Sequence, residues 1–220
     1  MQQTDFLFIG KRGSHYCEQA AHYLSAHHPN STIVFVARGE SLPRICFDWQ
    51  GRYLISYLCP EVIPEQVLTN AGVAAINFHP GPPEYPGIGC TNFAIYNEEH
   101  TFGVTTHHMN AQVDTGKIIL VDRFVINEKD DVYSVTVRCY AHLQRHFFVI
   151  MDEIRDGNML PESDEGWTRK PYTRRELNEL SQITLDMPEK EIRRRVRAMD
   201  FPGAPGAYLN LNGVLVEARY

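Results

Sequence analysis

No stretch of the 220-residue chain holds the roughly eighteen consecutive apolar residues that a membrane helix needs, so none of it is expected to span a bilayer. The five cysteines (Cys17, Cys46, Cys59, Cys90 and Cys139) are odd in number, scattered and without a Cys-x-x-Cys pair, which argues against a disulfide framework. With no signal peptide at the start, they are expected to be reduced thiols in a cytoplasmic protein. Positive charge is also scarce: 21 Lys and Arg against 27 Asp and Glu leave a net −6, which speaks against a general nucleic-acid binder while leaving room for a local basic pocket. Internal repeats and low-complexity tracts are missing. The first glycine loop, Gly10-Lys11-Arg12-Gly13, has neither the G-x-G-x-x-G spacing of a dinucleotide fingerprint nor that of a P-loop.

What is present is ordinary for a globular chain: 43% hydrophobic and 22% charged residues, enough for one good-sized domain with a small appendage. Asp5 to Gly10 is a buried strand by its apolar run, and His15 to His27 a helix carrying Cys17, Ala20, Ala21 and Leu24 at helical spacing. Strand, glycine loop, helix is the opening of a doubly wound domain. Thr32 to Ala37 and Tyr53 to Leu58 are further strands, joined by an abbreviated crossover with no helical stripe. Gly72 to His79, Gly103 to Met109 and Lys117 to Ile126 follow, and a long helix with Val132, Val135, Cys139, Leu143, Phe147, Ile150 and Ile154 on one face stops at Gly157. Beyond 158 the chain turns polar and proline-rich. Thr173-Arg174-Arg175-Glu176 and Asp186-Met187-Pro188-Glu189 have capping-box spacing, and Asn212-Gly213 marks a closing hairpin. The expected architecture is α/β: a Rossmann-like, mostly parallel sheet with helices on both faces over 1–157, and a small C-terminal helix and β-hairpin extension over 158–220.

The chemistry concentrates in Asn77-Phe78-His79-Pro80-Gly81. Alternation along a strand places Asn77 and His79 on the same face, at a carboxyl end where open α/β sheets bind ligands. An amide beside an imidazole suits a carbonyl becoming tetrahedral, since Asn can donate to the oxyanion and His can move a proton. The alternative is a capping amide and a packed histidine. Asp114, in the loop Val113-Asp114-Thr115-Gly116, is the acid best placed by order to orient the imidazole, although Asp-x-Gly is also turn chemistry. Lys11 and Arg12 stand beside a helix amino terminus, either holding a phosphate or forming a solvated basic loop.

Asn77-Phe78-His79-Pro80-Gly81, followed 35 residues after His79 by Asp114 in Val113-Asp114-Thr115-Gly116-Lys117-Ile118-Ile119, resembles the formyltransferases that use N10-formyltetrahydrofolate. Leu58-Cys59-Pro60-Glu61-Val62-Ile63-Pro64 is similar to that family's folate-contacting loop. Arg197 to Tyr208 is similar to the segment opening the carboxyl-terminal region of members acting on sugar nucleotides and on methionyl-tRNA. The resemblance implies that Asn77, His79 and Asp114 are catalytic. It implies that Leu58, Cys59, Pro60, Val62, Ile63, Val113 and Gly116 contact the folate, and that no metal is needed. Where the family commonly has Ser-Leu-Leu-Pro after this histidine motif, the chain has the stiffer Gly81-Pro82-Pro83-Glu84-Tyr85-Pro86. Size and short tail favour members that formylate a nucleotide-linked amino sugar for cell-surface glycans such as lipopolysaccharide. Glycinamide ribonucleotide, methionyl-tRNA, hydrolysis of the donor, or folate binding without turnover are the alternatives. No nucleic-acid or membrane partner is expected, and the closing hairpin admits a homodimer.

Around this centre, Tyr85 is a candidate to stack on the acceptor, and of the neighbouring His107-His108 pair His108 is the candidate to reach the acceptor pocket, the alternative being a packed histidine. Adjacent strand positions face opposite ways, so that pair does not share one metal. His142 and His146, spaced i and i+4, have no third ligand and are expected to be structural. Phe93 and Tyr96 are expected to pack, and Cys59 and Cys90 to be buried thiols without a reactive role.

Overall fold

Alternating side chains organise the sheet. In a computed structural model that describes residues 4–219, strand β1 (Thr4–Lys11) sends Phe6 and Phe8 to one face and Leu7 and Ile9 to the other. Next come α1 (His15–His27), β2 (Thr32–Val36), the short α2 (Arg44–Asp48) and β3 (Gly51–Tyr57). They are followed by α3 (Glu65–Leu68), β4 (Ala71–His79), α4 (Cys90–Tyr96), β5 (Thr101–His108), β6 (Ile118–Val125) and the long α5 (Val132–Asp156). The strands form one six-stranded sheet in the order β2-β1-β3-β4-β5-β6. The first four are parallel and the last two antiparallel, so the expected doubly wound sheet is found with an antiparallel edge.

Each face has its own core. On one, Phe6, Phe8, Tyr57, Ile76 and Phe78 pack with Cys17 and Leu24 of α1 and Cys139, Leu143 and Phe147 of α5. On the other, Leu7, Ile9, Val34 and Leu54 pack with Cys46 of α2 and Val67 of α3. The crossover expected to lack a helix contains only the five-residue α2. Helix α5 starts on a true capping box between Asp131 and Ser134 and ends at Gly157, whose φ of 72° is left-handed. His146 of this helix is buried and its Nδ1 lies 2.9 Å from Thr106 Oγ1, while His142 pairs with Asp122, so neither is placed to share a metal with the other.

After Gly157 an irregular strap leads to α6 (Arg174–Ser181), the two-residue β7 (Gln182–Ile183), α7 (Glu189–Met199), β8 (Ala207–Leu211) and β9 (Val214–Ala218). Thr173 and Glu176 form the expected capping box. The second is a correction: α7 begins after Pro188 with no side-chain cap, and Asp186 bonds locally to Thr184 instead. The extension also holds more than a helix and hairpin, because β7 pairs with β8 to make a three-stranded sheet. Its boundary at 157 is not a division of the core: Leu180, Ile183, Val196, Ala198 and Met199 are buried in the same cluster as the sheet. Asn92 donates to the Ala198 carbonyl at 2.7 Å and Arg194 to that of Tyr96 at 2.7 Å, stitching α7 onto α4. Residues 1–3 and 220, the outer ends of the two expected domains, lie outside the described residues.

Phe147 meets Tyr23, Tyr57 and Phe78 ring to ring at centroid distances of 5.8, 5.8 and 6.0 Å, fully buried between α5 and the sheet. Phe147→Ala is expected to lower the unfolding free energy by about 3–5 kcal/mol in a denaturant titration at unchanged m-value.

Candidate active site

Strand β4 positions the first two groups. Its even-numbered Ile76 and Phe78 go into the α1/α5 core, so Asn77 and His79 project to the opposite face. Strand β5 runs antiparallel beside it with Asn77 directly opposite His107 and His79 opposite Thr105. That register brings Asn77 Nδ2 to 3.1 Å from His107 Nε2. The 109–117 turn then folds Asp114 back onto the pair at a left-handed φ of 45°, a conformation that Asp tolerates better than most residues.

Asp114 is the hub. Its Oδ1 lies 3.3 Å from Asn77 Nδ2 and 3.1 Å from His107 Nε2, and its Oδ2 lies 3.2 Å from His79 Nδ1 and accepts the Gly87 N–H at 2.7 Å. The carboxyl is 6% exposed. Burial by itself raises its pKa. The charge of His79, the hydrogen bond and charge of His107, and the Gly87 amide outweigh that and hold it at about 2. Asp114 is therefore a carboxylate at any working pH. His79, 3% exposed, is shifted the other way: burial lowers its pKa, and the Asp114 charge and Tyr85 carbonyl only partly restore it. Its Nε2 is 2.9 Å from the Tyr85 carbonyl and carries the hydrogen there, because a carbonyl can only accept. The neutral ring thus presents Nδ1, beside Asp114, as the position for a second proton. His107 Nδ1 is likewise protonated toward the His108 carbonyl at 2.8 Å.

The structure brings Asn77, His79 and Asp114 together and adds His107, which replaces His108 as the histidine facing the centre. His108, one position on and opposite Ile76, alternates to the other face, and burial, then the charges of His107 and Lys117, lower its pKa. The parity of the pair was readable from sequence, but the register of β5 on β4 was not. Tyr85 is a second correction: it is 5% exposed, its hydroxyl donates to Glu99 at 2.7 Å and its ring stacks on Tyr172, so no face is free for a substrate. Its contribution to the centre is the backbone carbonyl at His79. Arg12 is a third, since Glu40 engages it through both carboxylate oxygens at 2.8 and 2.9 Å. In the loop after β3, Leu58 and Ile63 are buried in the two cores, Cys59 and Pro60 are half-buried, and Val62 is exposed. Burial raises the thiols of Cys59 and Cys90 to about 11 and about 12, so neither is a nucleophile at neutral pH. Among the described residues no group of three His, Cys, Asp or Glu side chains is arranged to hold a metal ion.

Residues 52–149 match the family described as formyl transferase. That span contains Asn77, His79 and Asp114, on which the resemblance rests, together with His107. A GDP-perosamine N-formyltransferase from Brucella melitensis is 30% identical over 164 residues, covering 73% of this chain and 61% of that protein. A methionyl-tRNA formyltransferase from Caldanaerobacter subterraneus is 28% identical over 160 residues, 71% of this chain and 50% of that one. The chain thus spans about three-fifths or less of the length of these curated relatives. Among solved structures, a sugar N-formyltransferase from a Shewanella species superposes with a TM-score of 0.77 at 18% identity, covering 99% of this chain and 98% of that one. An N-formyltransferase from Helicobacter canadensis, solved with folinic acid and dTDP-3-aminofucose, gives 0.73 at 16% identity over 96% and 85% of the two chains. At such identities the superpositions establish the fold.

The formyl transferase segment is walled by a residue outside it. Trp167, on the strap after α5, lies edge-on to His107 and His79 with centroids 5.0 and 5.7 Å away, and its Nε1–H donates to the Gly116 carbonyl at 2.8 Å. A cavity of about 810 Å³ opens between the strap and the Asp114 turn, with Val113, Thr115, Gly116, Trp167 and Arg169 in its wall. Nothing in the local sequence marks Trp167; only its being one of two tryptophans in a polar segment singles it out. Gly116 has no room for a side chain, since a Cβ there would overlap the His108 carbonyl. In a Trp49→Phe background, which leaves Trp167 as sole reporter, Gly116→Ala is expected to cost about 1–3 kcal/mol in stability and to shift Trp167 emission to the red as the turn moves.

Proposed function

We propose that this chain transfers a formyl group from N10-formyltetrahydrofolate to the amino group of a nucleotide-linked amino sugar. The observation that carries this is the buried cluster of Asn77, His79, His107 and Asp114 inside the segment that matches formyl transferases. The sugar acceptor is supported by the Brucella relative and by the near end-to-end superposition on the Shewanella enzyme. The donor is supported by folinic acid in the Helicobacter structure.

The residues present fit such a donor. The cavity is within the usual size of a small-molecule site, and the Trp167 ring gives it a flat apolar wall. Val113, Thr115, Gly116 and Trp167 would hold the folate on one side, with the exposed Val62 loop from Leu58 to Ile63 as the second contact. When bound, the donor supplies the formyl carbon and its oxygen. Asn77 Nδ2, whose two hydrogens go to Asp114 and His107 here, would turn one of them to an oxygen gaining negative charge. His79 takes at Nδ1 the proton an amine must shed, and Asp114, 3.2 Å away and permanently ionised, stabilises the resulting imidazolium. His107 and Gly87 keep the carboxylate in place.

A cytoplasmic location and a role in supplying lipopolysaccharide-type glycans accompany this proposal. All five cysteines are free, and among the described residues no helix is long and apolar enough to cross a membrane. A homodimer is supported by the exposed Val214, Leu215 and Val216 on the terminal hairpin. Methionyl-tRNA, the acceptor in the Caldanaerobacter protein's name, is disfavoured here by the net charge of −6.

Tetrahydrofolate release should be followed with N10-formyltetrahydrofolate and a panel of amino-sugar nucleotides, glycinamide ribonucleotide and methionyl-tRNA. Release dependent on an amino sugar is expected; folate binding with no transfer to any amine would overturn the enzyme, and transfer only to another amine would overturn the acceptor. Asp114→Asn is expected to lower kcat/KM by about 10²–10⁴-fold. For pH, His79 has a folded pKa below the ordinary value near 6.5, so the acid limb of kcat/KM should fall below pH 6.5. By the same sign, the stability that neutral His79 contributes is complete above pH 6.5 and is lost as pH falls below it, whereas that of Asp114 is complete above pH 3.8 and is lost as pH falls from there through about 2. An acid limb at or above 6.5 would rule His79 out as the base.

A further inference from the structure

The side chains of this centre can activate water as well as an amine. His79 presents an unprotonated Nδ1 3.2 Å from Asp114, and Asn77 carries an amide for the oxygen that gains charge. An amine N–H and a water O–H would shed their proton to the same atom. Nothing in Asn77, His79, His107 or Asp114 separates the two nucleophiles, so the outcome depends on which of them reaches the formyl carbon. His79 and Asp114 are 3% and 6% exposed, and the group that covers them controls that access.

Trp167 is that group. Its ring stands against both imidazoles, at interplanar angles of 90° to His107 and 74° to His79, and it also lines the cavity of about 810 Å³. Among the described residues it is the one aromatic ring in the cavity wall, and none of the four polar side chains of the centre lines that space. A donor in the cavity and bulk water therefore both approach the centre past this ring. The ring is held in place rather than left free on its strap. Its Nε1–H donates to the Gly116 carbonyl at 2.8 Å, the Thr168 N–H to that of Pro83 at 3.2 Å, and Arg123 donates to both carboxylate oxygens of Glu165 at 2.9 and 2.6 Å. An indole fixed in this way offers water a large apolar surface with its one N–H already engaged.

We infer that Trp167 sets the choice of nucleophile: its ring keeps water from the formyl carbon, and so makes the centre an amine formyltransferase rather than a hydrolase of the donor. This role presupposes the formyl donor proposed above but no particular acceptor. In transfer, the amine nitrogen bonds to the formyl carbon, the bond from that carbon to N10 breaks, and the proton shed by the amine passes through His79 to N10, giving an N-formyl product and tetrahydrofolate. With the ring gone, a water oxygen takes the place of the nitrogen in the same sequence, and the products are formate with its proton and tetrahydrofolate.

The test compares wild type with Trp167→Phe, which keeps a ring and loses the N–H, Trp167→Gln, which keeps an N–H donor and loses the ring, and Trp167→Ala. Met159→Ala, at an exposed position of the same strap, is the control. Tetrahydrofolate and formate are measured with N10-formyltetrahydrofolate alone, and formylated amine per tetrahydrofolate with the acceptor panel added. The His79 imidazole is titrated by NMR in the ligand-free proteins. The Gln and Ala variants should hydrolyse the donor at least about tenfold faster than wild type and yield less formylated amine per tetrahydrofolate, with Trp167→Phe and Met159→Ala at the wild-type values. In the same two variants the His79 pKa should rise toward its ordinary value near 6.5, because burial is the largest cause of its lowering. Asp114, the Tyr85 carbonyl and His107 act on that ring in every variant alike, so the change reports its hydration. Should the melting temperature show Trp167→Ala unfolded, the Gln and Phe variants decide. Unchanged hydrolysis in Trp167→Gln, hydrolysis raised as much in Trp167→Phe, or an unmoved His79 titration overturns the role of the ring. Ring-dependent hydrolysis by a protein that formylates no amine keeps that role and removes the acceptor, while no turnover of the donor by any of the proteins removes the donor and the role with it.

Discussion

The structure around this centre depends on one buried anion. A carboxylate taken out of water costs several kcal/mol unless polar partners surround it, and those around Asp114 come from separate pieces of chain. His79 and Asn77 come from β4, His107 from β5 and the Gly87 N–H from the loop between β4 and α4. Gly87 supplies its N–H with φ at 90° and with the Tyr172 backbone against its α-carbon, a position open only to glycine. Each element is thereby constrained by the same charge, and a change that displaces any donor leaves the carboxylate under-compensated rather than merely less well packed.

That constraint explains why the carboxyl-terminal segment belongs to the site. The strap after Gly157 bonds to both rims of the centre: the Trp167 indole to Gly116, the Thr168 N–H to Pro83 at 3.2 Å and the Tyr172 N–H to Pro86 at 2.8 Å. Phe93 stacks on Tyr172 at a centroid distance of 3.8 Å, anchoring the strap to α4. The proline-rich loop from Gly81 to Pro86 is the surface this strap grips. Stiff proline backbone offers fixed carbonyls there, and Tyr85 between the prolines lends its own carbonyl to His79. The strap excludes water from His79 and Asp114, which sharpens the electrostatics that keep one neutral and the other charged.

The legible parts of this molecule are those set by local periodicity. Strand alternation put Phe6 and Phe8 against Leu7 and Ile9 and placed Asn77 with His79, the 3.6-residue stripe gave α1 and α5, and glycine at 157 and Asn212-Gly213 gave their turns. What was not legible depended on register and on distant packing. His107 rather than His108 faces the centre because β5 pairs with Asn77 opposite His107, and a slip of one residue would exchange them. Tyr85 and Trp167 exchanged expected importance for the same reason: an aromatic ring in a loop declares its size but not whether it is covered. The Asp186 capping spacing failed because Pro188, fixed in φ and already extended, starts α7 by itself.

Charge is distributed unevenly over the chain. The candidate centre concentrates its negative charge in one buried carboxylate, Asp114, which accepts from the Asn77 amide and the Gly87 N–H with the His79 and His107 rings beside it. Elsewhere Lys11, Arg38 and Arg174 have no hydrogen-bond or ion-pair partner among the described residues, in a chain of net charge −6. A negative protein repels a polyanion at long range, and unpaired cations overcome this only for an anion small enough to sit within a Debye length of them, about 8 Å at physiological salt. A diphosphate is that small and a transfer RNA is not. Unpaired cations in a chain of net negative charge therefore favour small anions over polyanions.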